Sequence, residues 1–116
     1  MRLALAAALA IAAALPATAA PNPAKARDCR GEMAKMVAMG LILHAEKTGP
    51  VSMNITLDPI KWRVMPTDMK RAVGTTIACV ATDADDLDAV GSEITFVTGD
   101  ERTPVGRMVG TELRVE

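Results

Sequence analysis

The sequence predicts a small α+β domain of order α-β-α-β-β, with two helices on one face of a three-stranded, mostly antiparallel sheet. Three patterns predict it. Apolar residues recur at three- and four-residue spacing after residue 24. They alternate strictly over 51–57, and alternate again over 93–98 ahead of a turn-rich segment. The first pattern is the helical period and the other two are the strand period. The chain of 116 residues is the length of one domain.

The first nineteen residues read as a leader, not as part of the fold. Met1-Arg2 carries one positive charge, Leu3 to Leu15 is an unbroken run of Leu, Ala and Ile, and Pro16 breaks it. Ala17-Thr18-Ala19 then fits a small-x-small cleavage site, so residues 1–19 form a secretory signal peptide of bacterial type. The apolar run would span about 20 Å as a helix, short of the roughly 30 Å of a bilayer core. The expected protein is therefore periplasmic or secreted and has no membrane anchor after cleavage. Residues 20–23 are a short tether, and a single domain covers 24–116.

Each element has its own signal. From Ala24 to about Lys47 the chain reads as a helix, with Cys29, Met33, Met36, Val37, Gly40, Leu41 and His44 on one face. Thr48-Gly49-Pro50 stops it. Val51, Met53, Ile55 and Leu57 alternate with Ser52, Asn54 and Thr56 as a half-buried strand. Asp58-Pro59 suits an N-cap followed by the first helical position, which makes Ile60-Lys61-Trp62 one helical turn. A second helix starts near Pro66 or Thr67, runs to about Asp83, and buries Met69, Val73, Ile77, Val80 and Ala84. Glu93 to Thr98 is a strand around Ile94 and Phe96, and Gly99 to Pro104 is a hairpin loop. Val105 to Val115 returns, with a bulge or split expected at Gly106 and Gly110.

Cys29 and Cys79 are the only cysteines, and in an oxidising compartment they pair as a structural disulfide. They lie too far apart in sequence for a Cys-x-x-Cys redox site. A bridge from early in the first helix to late in the second requires the two helices to run antiparallel.

Composition excludes several function classes. Removing the leader's Arg2 leaves 12 basic and 14 acidic residues, a net charge of −2, without the basic excess of a nucleic-acid binder. Two aromatics, Trp62 and Phe96, supply no stacking platform for bases. A single His44, no nucleophile elbow, no phosphate-binding glycine loop and no metal triad predict a protein that is not an enzyme and holds no cofactor.

Three clusters remain as candidate sites. Lys61-Trp62-Arg63 is the candidate partner-binding surface, because Trp and Arg are enriched at interface hot spots. Its bland alternative is a buried Trp62 with Lys61 and Arg63 turned outward. Met33, Met36 and Met39 offer thioethers suited to cuprous ion. Met33 and His44 are about 16 Å apart along a helix, so only neighbours such as Met36 and Met39 could share one ion; core filling is the simpler role. Asp83, Asp85, Asp86 and Asp88 fail the EF-hand spacing and read as a solvated acidic turn. Asn54-Ile55-Thr56 matches a glycosylation sequon, incidental in a bacterial exported protein.

The expected function is a non-catalytic interaction module of the bacterial periplasm, with an unknown envelope protein or component as partner and no nucleic acid. The alternatives are a periplasmic copper-binding protein, and a small enzyme or enzyme inhibitor without a recognisable site.

Overall fold

A five-stranded mixed sheet carries two long helices on one face. The computed structural model describes residues 22–83, 87–99 and 103–115. The expected leader, residues 20–21 of the expected tether, Ala84, Asp85, Asp86, and Asp100, Glu101 and Arg102 of the expected hairpin loop lie outside the described residues. The element order is α1 (Pro23–Ala38), β1 (Ile42–Gly49), β2 (Ser52–Leu57), α2 (Pro59–Arg63), α3 (Thr67–Thr82), α4 (Leu87–Val90), β3 (Glu93–Thr98), β4 (Thr103–Val109) and β5 (Glu112–Val115). The strands lie side by side in chain order. Only β2 and β3 pair in parallel, joined by the crossover through α3.

The α+β class agrees with the sequence reading, but the sheet has five strands where three were expected. The helix expected over 24–47 ends at Ala38 and residues 42–49 form β1 instead. The cause is a Schellman cap. Gly40 takes φ +78°, a left-handed conformation that favours glycine. Its N–H donates to the Val37 carbonyl, and the Leu41 N–H donates to Met36. Asn22 and Pro23, expected in a tether, belong to this helix: Pro23 is its first residue, and the Asn22 side chain accepts from the Lys25 N–H. Gly49-Pro50-Val51-Ser52 is the β1–β2 turn, so the Gly-Pro pair reverses a strand and stops no helix. The expected return strand is two strands, β4 and β5, reversed at Gly110 with φ +59°.

The core lies between the sheet and α3. Met53, Ile55 and Leu57 of β2, Ile94 and Phe96 of β3, and Met108 of β4 face Val73, Ile77 and Ala78 of α3. The strict alternation of β2 is the buried–half-buried alternation observed. Cys29 and Cys79 are bridged, with a Cα–Cα separation of 6.1 Å. The bridge joins the middle of α1 to α3 near its end, and the helices run antiparallel. The Asn22 N–H donates to the Asp83 carbonyl at one end, while Met36 and Met39 line one groove with Met69 and Val73 at the other. The β1–β2 hairpin carries the chain back between them, so α2 only has to turn the corner from β2 into α3.

Candidate functional site

Two ends of this architecture differ in chemistry. The disulfide end is tied by polar contacts. Arg30 pairs with Asp83 at 3.6 Å. Lys47 Nζ donates to the Ala81 carbonyl at 3.4 Å, placing a cation at the α3 C-terminus. The Asp88 carboxylate accepts from the Thr111 N–H at 2.8 Å and from its hydroxyl, holding the β4–β5 turn. Of the four acidic residues taken as a solvated turn, Asp83 and Asp88 thus have structural roles, and Asp85 and Asp86 lie outside the described residues. Among the described residues no group of three or more His, Cys, Asp or Glu could hold a metal ion.

The opposite end gathers α2, the end of α1, the start of α3 and the end of β2. Asp58 caps α2 as its sequence requires, its carboxylate accepting from the Ile60 and Lys61 N–H groups at 3.0 and 2.9 Å. That cap fixes which way each side chain of the short helix points. Trp62 turns inward and is only 3% exposed. Its ring stacks on Phe96 at 4.9 Å between centroids, with Lys70 Nζ 5.1 Å above it. Trp62 Nε1 has no hydrogen-bond partner. In this conformation Trp62 offers no ring face to a partner, so an interface built on Lys61-Trp62-Arg63 cannot use it as an exposed anchor. Lys61 and Arg63 do point outward, and Lys61 Nζ caps α1 by donating to the Met39 carbonyl at 2.8 Å.

An apolar groove of about 900 Å³ runs between the C-terminal half of α1 and the N-terminal half of α3, closed on one side by the α2–α3 connection. That volume lies within the range of small-ligand sites. Met36, Met39, Met65 and Met69 all line it, with Leu41 and Val64, and with Glu32, Lys35 and Lys61 also on its wall. Met36 and Met65 are half-buried, while Met39 is 62% and Met69 55% exposed. Met69 was expected in the core and is instead on this surface, because it sits in the first turn of α3, beyond the sheet's reach. The sequence could pair only Met36 with Met39. The fold adds Met65 and Met69 from a segment about thirty residues away. Met33 packs half-buried against the core, and His44 is exposed on β1.

A second recess at the same end, of about 270 Å³, is lined by Trp62, Arg63, Lys70 and Val115. The outer face of the sheet is polar, with Asn54, Thr95 and the Arg107–Glu93 ion pair. No helix among the described residues is long and apolar enough to cross a membrane. Comparison with protein-family models, with characterised proteins and with solved structures finds no match to this chain.

Proposed function

We propose that this protein is a non-catalytic binding module of the bacterial envelope and that the methionine-lined groove between α1 and α3 is its docking surface. One observation carries the reading: exposed Met39, Met69 and Val64 border an apolar groove that nothing else in the chain's described residues covers. Contiguous exposed apolar surface of this kind marks interaction sites, and flexible thioethers adapt to the shape of what they meet. Export supports the envelope setting through the leader pattern of residues 1–19. The Cys29–Cys79 bridge is in keeping with an oxidising compartment. Mass spectrometry of protein released from the periplasm tests the export half, with a chain beginning at Ala20 as the expected result.

A photo-crosslinking side chain placed at Met39 or Met69, and at Asn54 or Thr95 on the polar sheet face, tests the groove in intact cells. Adducts are expected from the two groove positions only. No adduct, or equal adducts from both faces, overturns the reading.

The four groove methionines favour a second reading, a site for cuprous ion. Thioether donors suit that ion, and the fold brings four of them to one groove. Anaerobic titration against a competing chelator should then show one equivalent bound, lost in Met36→Leu/Met69→Leu; no uptake below millimolar free ion removes it.

A further inference from the structure

Among the described residues eight large hydrophobic side chains are exposed, and seven of them lie at the α2 end. Val37 and Met39 sit at the end of α1, Leu43 at the start of β1, Ile60 and Val64 on or beside α2, and Met69 in the first turn of α3. Val115, the last residue of β5, lines the recess beside Trp62 at the same end. Only Val109 is elsewhere. Ile60 and Val64 are the most exposed, at 67% and 76%, and their four-residue spacing puts them together on the side of α2 opposite buried Trp62.

Among the described residues the charges around this apolar cap are cationic in net effect, with Lys61, Arg63 and Lys70 set against Asp58. Each nearby carboxylate among the described residues is engaged: Glu32 with Lys35, Asp68 with Arg71, and Asp58 with the α2 backbone. Lys61, Arg63 and Lys70 have no carboxylate partner among the described residues: Lys61 donates to the Met39 carbonyl and Lys70 lies over the Trp62 ring. Protruding aliphatic residues beside cations that no described carboxylate neutralises match the two terms that hold a peripheral protein on an anionic bilayer: apolar burial at the headgroup boundary and attraction to the lipid charge.

We propose that the α2 end seats on an anionic lipid surface, with Ile60 and Val64 entering the interface and Lys61, Arg63 and Lys70 over the headgroups. This rests on the docking reading above and names its partner. A planar partner fits the distribution better than a helix laid in the groove. A helix there would cover Met39, Val64 and Met69, but Val37, Leu43 and Ile60 do not line the groove and would stay wet. The chain beyond the leader carries a net charge of −2, so attraction to an anionic surface requires that its cationic end face the lipid.

Flotation of the purified, disulfide-bonded protein with phosphatidylglycerol-containing vesicles, and with pure phosphatidylcholine vesicles, tests this. Binding is expected only to the anionic vesicles. Ile60→Ser/Val64→Ser should weaken it at least tenfold. Arg63→Gln should weaken it about fivefold, the factor that one cation near such a surface represents. Arg27→Gln, at the disulfide end of α1, should leave it unchanged, with unaltered thermal unfolding confirming that each variant is folded. Equal losses in Arg27→Gln and Arg63→Gln overturn the proposed orientation. Absence of binding to anionic vesicles, with groove adducts to a protein still formed in cells, overturns the lipid proposal and leaves the docking surface standing. Absence of both removes both.

Discussion

The disulfide end and the α2 end are built from the same two helices, yet they use opposite means. At the disulfide end Arg30 pairs with Asp83, Lys47 caps α3, Asp88 holds the β4–β5 turn, and a covalent bridge fixes the helix pair. At the α2 end the backbone is capped just as carefully, by Asp58, Gly40 and Lys61, but Val37, Met39, Ile60, Val64 and Met69 stay exposed beside those caps. The contrast separates what holds the fold from what is left to bind. An end that needed its apolar residues for stability would have buried them, as it buries Trp62.

Trp62 gives the largest test of that contrast, because it belongs to the binding end by position and to the core by contact. Trp62→Ala should cost about 3–5 kcal/mol of folding stability through lost burial and the cavity left beside Phe96. A chemical-denaturation midpoint reads this directly, and a change under 1 kcal/mol would place Trp62 outside the core. Next in size is the bridge: Cys29→Ser/Cys79→Ser should lose about 2–4 kcal/mol, mostly by freeing the unfolded chain. The double variant should still show groove adducts at temperatures where it remains folded, since the groove lies at the far end.

Asp88→Ala should cost about 1–2 kcal/mol, the effect of removing a charged acceptor from the Thr111 N–H and hydroxyl. Its effect should appear as faster amide exchange confined to the β4–β5 turn. The smallest effect belongs to Ile60→Ser/Val64→Ser, within about 0.5 kcal/mol of the parent in thermal or denaturant unfolding, as for exposed positions generally. A larger loss there would mean that the α2 end contributes to stability after all, and would erase the distinction between the ends.

Much of the fold was legible wherever a local pattern had one physical meaning. Strict alternation at 51–57 and 93–98 gave β2 and β3, and Asp58-Pro59 gave the start of α2 to the residue. The two cysteines gave the bridge and, through it, the antiparallel helix pair. Where a pattern had two meanings, the fold chose the other. Gly40, Leu41 and His44 continue the helical spacing of Met33 and Met36, so β1 was hidden inside a helix. The signal against it was a glycine followed by leucine at the C-terminal cap. Gly49-Pro50 ends a helix or turns a hairpin equally well, and only the pairing partner across the turn decides. Trp62 was placed on a helical turn, but five residues do not reveal which side of the turn packs. The groove was beyond sequence reach, because Met36 and Met39 share a wall with Met65 and Met69 only after the β1–β2 hairpin has brought α3 back alongside α1.

The parallel ladder between β2 and β3 divides the chain as well as the sheet. Its rungs run from Ser52–Glu93 to Leu57–Thr98, and the chain up to the end of α3, with both cysteines and both long helices, belongs to one piece. The last three strands form a second piece with no covalent tie to the first except the backbone joining α3 to α4. A cut in that connection would leave a bridged fragment keeping only β1 and β2 of the five strands and a three-stranded meander lacking its support. Mixed together, the two halves carry complementary edges six rungs long, and their rejoining would be visible as the indole of Trp62 regains the ring of Phe96.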